Sequence, residues 1–287
     1  MKMRRASSRS SFRRNGRGVS PAISTVILTS VIVVLLLVTI VFANNFLTAR
    51  LAENEFSAME QFMQTVGLQI DDVAWTIGRT QTIRYASQSG QVNFQSVALN
   101  YLVYVKKGTS FFLLANTTTG IILFNMPISK YSKGNNYFKR IFPSSDNSFL
   151  QIGTSAPVDH VFSIEDIPMR DGSYIRVVVA PSIRTLNSTI KVGYQTTTYF
   201  KLYLPCLNLE SHPRLSQSIT IIGKNVTRAT ESKVDALRIN VTFPNEVSGF
   251  NSGFFNFKHT VETLNVPADS IVEVYVGDVR VSLGAYA

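Results

Sequence analysis

Hydrophobic and polar positions change their period twice along this 287-residue chain. No charged side chain occurs from Val19 to Ala43, and residues 26–43 read VILTSVIVVLLLVTIVFA, interrupted only by Thr29, Ser30 and Thr39. A hydrocarbon core of about 30 Å takes roughly 20 such residues as a helix, so the segment has membrane-spanning length. Its hydroxyls can bond to carbonyls one turn back and remain satisfied in lipid. Ser20 and Pro21 form a helix start: a serine oxygen caps free amides, and proline at the first helical position forfeits no hydrogen bond.

Past Ala43 the hydrophobicity drops but a helical period continues. Leu47, Leu51, Met59, Phe62, Val66, Ile70, Val73 and Ile77 recur at threes and fours with one step of eight, and acidic and amide residues lie between them. No proline lies between Pro21 and Pro127. The pattern predicts one helix over residues 19–78, a spanning part (19–43) followed by an amphipathic part (44–78), whose nearly continuous stretch from about Pro21 to Ile77 is roughly 85 Å long at 1.5 Å per residue. Gly67 weakens it and Gly78 ends it. Asp71 and Asp72 read as a solvated face near Arg79, and Trp75 as a packing residue at the seam between the helical rod and the domain beyond it.

From about Thr80 the period becomes two and turn residues arrive at short spacing. Residues 82–85 and 92–94 flank Ser87-Gln88-Ser89-Gly90, a hairpin signal. Further strands are expected at 97–105, 110–115, 120–125, 174–180, 196–204, 218–222, 236–243, 254–259 and 271–276. Ser129 to Asp146 reads as a long loop and Asn245 to Gly253 as a turn-rich break. The expected fold class is α+β: a long amino-terminal helix, then a β-rich, antiparallel, sandwich-like domain over residues 79–287.

Charge changes the picture at the amino end. The net charge is +10, from 28 Lys and Arg against 18 Asp and Glu, but seven basic residues and no acidic one lie in residues 1–18. The rest is close to balanced and its basic residues are scattered, which argues against a nucleic-acid partner. Basic residues before the span and Glu53 and Glu55 after it place the leader in the cytoplasm and the β-rich part outside. Cys206 is the single cysteine, so no intrachain disulfide forms, and it reads as a buried small hydrophobe.

Chemistry-bearing motifs are thin. Ser188-Thr189-Ile190-Lys191 and Ser145-Asp146-Asn147 match fragments of a penicillin-recognising pattern in reversed order, without its Lys-Thr-Gly. His160, His212 and His259 are far apart; His160, beside Asp159 and near Glu165 and Asp166, reads as part of a polar loop, not a metal ligand. No catalytic residue, cofactor site or metal site is expected. Glycosylation sequons begin at Asn116, Asn187, Asn225 and Asn240, a number that chance nearly supplies in so Ser- and Thr-rich a chain.

Three fates are open to the amino terminus. Val41-Phe42-Ala43 would suit a secretory cut after a span that is longer than usual; an uncleaved signal anchor needs nothing further; or the chain is cut before the span. For the third, Arg17-Gly18-Val19-Ser20-Pro21-Ala22-Ile23-Ser24-Thr25-Val26-Ile27-Leu28 resembles the start of archaeal type IV pilin-like precursors with a class III signal peptide. The resemblance covers about residues 13–43. It implies a prepilin peptidase-like protease cutting after Gly18, with Arg17, Gly18 and Val19 as the processing site and Val19 as the first mature residue. Ile23 stands where bacterial pilins carry glutamate, a residue that archaeal pilin-like proteins commonly lack. The expected function is then a non-enzymatic, pilin-like subunit of a cell-surface filament, assembled with its own copies or other pilin-like subunits through the helix. The alternative is an uncleaved, single-pass membrane protein with an extracellular binding or sensing domain.

Overall fold

A computed structural model describes residues 21–144, 147–167, 169–192, 194–211 and 218–284. The chain divides into two compact units, Met1–Thr48 and Ala49–Ala287. Helix α1 (Pro21–Ala74) opens at the expected proline and is unbroken over 54 residues. Gly78 lies just beyond it at φ +83°, a left-handed conformation that glycine adopts at least cost.

The second unit is built from β1 (Thr80–Arg84), β2 (Gln91–Lys107), β3 (Ser110–Pro127), β4 (Tyr137–Phe142), β5 (Leu150–Ile152), β6 (Asp159–Glu165), β7 (Tyr174–Pro181), β8 (Ile183–Val192), β9 (Gln195–Ser211), β10 (Ser218–Thr242) and β11 (Val261–Leu283). A short helix, α2 (Ser252–Phe255), precedes β11. The strands form one sheet in the order β4-β6-β7-β3-β2-β10-β11-β9-β8-β5, with β1 paired to β10. Pairing is antiparallel except for β9 with β11 and β5 with β8, so the fold is α+β as expected. The sheet curls on itself: the Leu207 amide of β9 donates to Thr119 Oγ1 of β3 at 2.9 Å, although three strands lie between β3 and β9 in the sheet order.

Two apolar cores result. The inner one gathers Tyr101, Val103, Phe149, Phe162, Leu202, Leu237 and Val272 around Phe250, Phe254 and Phe255. The outer one lies between the sheet and the second half of α1, where Ala52, Phe56, Met59, Met63, Val66, Ile70 and Val73 are buried at alternating steps of four and three. Strand β7 serves both, with Ile175, Val177 and Val179 in the outer core and Val178 and Ala180 in the inner one; it is apolar from Val177 to Ala180, and the one charge within it, buried Arg176, is paired with Asp171. The long strands change layer at bulges. In β2, Val92 belongs to the outer core and Leu99 to the inner one, and the register shifts between Gln95 and Leu99, where Val97 has φ 58°. In β10, Ile221 and Val234 are likewise separated by shifts near Gly223 and Lys233.

Several expectations are corrected. No hairpin joins 82–85 to 92–94: β1 pairs with β10, and the Ser87–Gly90 turn is held by Glu55 of α1, whose Oε1 accepts from the Gln88 and Ser89 amides, each at 3.0 Å. The pairs 110–115/120–125 and 218–222/236–243 are the single strands β3 and β10. Residues 254–259 are not a strand: Phe254 and Phe255 end α2, because the Asn251 side chain caps the Phe254 amide at 3.1 Å and their rings plug the inner core. The expected loop 129–146 contains β4, an edge strand on β6. Leu47 and Leu51 of α1 are exposed, as is Ile77, which lies beyond the helix end, and Phe56 and Met63 are buried in their stead.

Met63 is fully buried in the outer core and Leu68 is half exposed. Met63→Ala is expected to destabilise the protein by about 2–5 kcal/mol and Leu68→Ala by no more than about 0.5 kcal/mol. Denaturant unfolding of the two variants in one detergent, monitored by Trp75 fluorescence, checks the contrast.

Candidate functional site

The first unit contributes one surface. Every residue described for its side chain from Ala22 to Thr48 is exposed, including Ile27, Val31, Val34, Leu35, Val38 and Phe42. Most hydroxyls on this surface bond to the helix's own backbone. Thr25 Oγ1 donates to the Ala22 carbonyl at 2.9 Å, Ser30 Oγ to Val26 at 2.8 Å, Thr39 Oγ1 to Leu35 at 2.7 Å and Thr48 Oγ1 to Asn44 at 2.8 Å. From Ala22 to Ala43 the surface is otherwise apolar, and a hydroxyl turned onto the helix backbone makes little hydrogen-bonding demand on lipid or an apolar partner; the amides of Asn44 and Asn45 follow at its end. By length and composition α1 can cross a membrane. Pro21 opens it, while Arg17, Gly18, Val19 and Ser20, the rest of the expected processing site and helix start, lie outside the described residues.

In the second unit, α1 is fixed laterally by polar groups. Asp71 accepts from Trp75 Nε1 and from Arg184 Nη1 of β8, both at 2.8 Å, and Trp75 stands edge-on to Tyr203, with centroids 5.1 Å apart. Trp75 is thus the seam residue that its position suggested. Asp72 pairs with Arg79, as a solvated face requires, whereas Asp71 is tied to the sheet. Glu60 accepts from Ser163 Oγ at 2.8 Å and pairs with Lys139 at 2.6 Å. Burial pushes the Glu55 carboxyl up, but hydrogen bonds from Ser87, Ser89 and Gln88 offset it and leave the group below its ordinary value.

The constellations weighed as catalytic or metal-binding do not assemble. Ser188 and Lys191 lie on β8 three residues apart and therefore point to opposite faces of the strand. His160 is not in a polar loop: it is buried on β6, with Nε2 2.9 Å from the Ser148 carbonyl and its ring against Phe257. His259 is exposed. His212, Ser145 and Asp146 lie outside the described residues. No group of three or more His, Cys, Asp or Glu suited to a metal occurs among the described residues. Cys206 is only partly buried; its thiol donates to the Thr118 carbonyl at 3.0 Å, and burial raises its pKa, which opposes thiolate formation. Asn116, Asn187 and Asn225 are exposed on β3, β8 and β10, while Asn240 is half-buried in β10 with an Oδ1 that has no hydrogen-bond partner among the described residues.

One further group stands out only in the fold. Asp159, buried at the start of β6, has its pKa pushed up to about 7 by burial and, secondarily, by the negative charge of Asp71. Its sequence signal is weak, because an aspartate beside a histidine reads as loop until β6 is placed.

Comparisons with protein-family models, curated proteins and solved structures return no match to this chain.

A charge at the centre of the apolar segment opposes insertion by about 2.5–3.5 kcal/mol. Val34→Arg is therefore expected to move much of the protein from the carbonate-resistant membrane fraction to the soluble or aggregated fraction, and Thr39→Ala to leave it in the membrane. Fractionation followed by immunoblotting reads the difference.

Proposed function

We propose that this chain is a pilin-like structural subunit of an archaeal cell-surface filament, processed after Gly18 and assembled through the apolar part of α1. The carrying observation is that α1 supplies two surfaces of different kinds. One, residues 22–43, is exposed on every side and apolar apart from a few hydroxyls, of which Thr25, Thr29, Ser30 and Thr39 bond to the helix's own backbone; the other, residues 52–73, has a single apolar stripe buried against a β-rich head. A helix apolar on all sides suits lipid and the core of a helical bundle equally, so it can pass from one to the other without exposing that surface to water. The arginine-rich leader and the Gly18-Val19-Ser20-Pro21 junction support the same reading, since they supply a cut that would free the amino end of α1.

The partners under this proposal are the membrane before assembly, a prepilin peptidase-like protease, and identical or related pilin-like subunits afterwards. The head would face outward, and no enzymatic activity or cofactor is assigned to it.

Intact-mass measurement of the protein purified from cells tests the processing step. A mature chain beginning at Val19 is expected, and Gly18→Val is expected to retain the leader. A native chain that begins at Met1 points to the uncleaved anchor with a binding or sensing head, and one that begins at Asn44 to a released protein; either overturns the proposal. Electron microscopy of sheared surface fractions tests assembly: fibres labelled by an antibody to the head are expected, and dispersed monomers alone overturn it.

A further inference from the structure

Among the described residues of the second unit, the buried carboxylates are matched by donors, with one exception. Glu165 accepts from Ser132 Oγ at 2.6 Å and from the Lys133 and Gly134 amides at 2.7 and 3.2 Å. Glu273 accepts from the Tyr275 hydroxyl at 2.8 Å and lies 3.7 Å from Arg228. Asp159 is 1% exposed, and its Oδ2 accepts from no described residue. That oxygen lies against the bare backbone of Gly67 on α1, so close that a Cβ added there would be 2.1 Å away. A neutral carboxyl fits such a place; an ionised one is left without a partner at low dielectric, which costs far more.

We propose that Asp159 is a proton-operated latch between α1 and the sheet. With its carboxyl neutral, residues 56–73 of the helix lie on the outer core; ionisation drives this half of α1 off the strands so that water can reach the carboxylate.

The surrounding charges do not replace the missing donor. On α1, Asp71 is itself negative and is engaged by Trp75 and Arg184, and Glu60, on the same flank, is held by Ser163 and Lys139. From β8, Arg184 divides its Nη1 between Asp71 and the Ala156 carbonyl. On β6, His160 is engaged with the Ser148 carbonyl and Phe257. On β7, the register partner of Asp159 is Pro181, which has no charge.

The direction of the pH effect comes from proton counting. The docked carboxyl keeps its proton up to about pH 7, whereas in water it would lose it near its ordinary value of 3.8. Between these limits the docked state holds one more proton than the undocked state, so docking weakens by about tenfold per pH unit as pH rises and is flat on either side. This device does not depend on whether the chain polymerises, and a failed filament test leaves it standing.

Hydrogen exchange of the full-length protein in lipid nanodiscs, read by mass spectrometry on peptides within residues 56–74 and corrected for intrinsic rates, tests it. Protection in these peptides is expected to fall about a hundredfold from pH 5 to pH 8 in the native protein, and to be equal at the two pH values in Asp159→Asn, which keeps the shape without the charge. Equal protection in the native protein, or a parallel fall in the variant, overturns the proposal. Should the variant not fold, isotope-edited infrared spectra of the native protein decide: a protonated-aspartate band present at pH 5 and lost by pH 8 supports the latch, and its absence at pH 5 overturns it.

Discussion

The fold of the second unit rests on the close seating of the second half of α1 against the sheet. Two glycines, Gly223 of β10 and Gly277 of β11, make that approach possible at the end of the helix. A Cβ on Gly223 would stand 2.4 Å from the Val73 carbonyl oxygen, and one on Gly277 would stand 2.5 Å from that of Ala74. Gly67 performs the same service at mid-helix against Asp159 and Val161. With the backbones this close, the stripe from Ala52 to Val73 covers Ile122, Phe124, Val177, Val179, Ile219 and Val281, which a bare sheet would expose. Each such aliphatic or aromatic side chain contributes about 1.5–3 kcal/mol on burial, whereas the exposed pairs Asp72–Arg79 and Arg50–Glu53 contribute about 0–1 kcal/mol each. Apolar seating therefore holds the helix, and the ion pairs and hydrogen bonds at its flanks fix its position.

That seating explains the length and irregularity of the strands. A sheet covered on one face by a helix and on the other by its own curl must place the same strands in two cores. Strands β2 and β10 do this by crossing from one core to the other, and each crossing carries a bulge and a non-glycine residue at positive φ, Val97 in β2 and Lys233 in β10. Strand β11 crosses between Val274 and Val279, where Gly277 meets the helix. A bulge re-aims the side chains beyond it, so a strand of 17 or 25 residues can serve two layers without a loop between them.

These features decide how far the sequence can be read. The apolar helix, its start at Pro21, its end near Gly78 and most strand positions are local properties of period and turn residues, and these are legible. The pairing of β1 is not, because its partner lies more than a hundred residues away and the nearby Ser87–Gly90 turn imitates a hairpin. Bulged strands read as two short ones, since a local break in alternation is also the signature of a loop. Phe254 and Phe255 carry strand-forming side chains, but a capping asparagine and the burial of both rings in the inner core hold them in a helix. Of the proposed functional surface, the residues of the span are visible at once; the lateral fixing by Asp71, Arg184 and Trp75 requires the tertiary fold.

Carboxylate placement shows where local reading stops. Glu55 and Glu165 lie in unrelated segments, yet each accepts from a serine hydroxyl and two successive amides of a tight turn, Ser87-Gln88-Ser89 for one and Ser132-Lys133-Gly134 for the other. In both, the turn sequence advertises donors, and only the acceptor is supplied from a distance. Asp159 has the reverse arrangement: the acceptor is present, and the surface that meets it is a glycine backbone whose amide is already bonded within the helix. Nothing short in sequence distinguishes the two situations. The difference arises because the close approach that Gly67 permits excludes both a side-chain donor and water, so the feature that seats the helix most tightly also leaves one of its contacts unsatisfied.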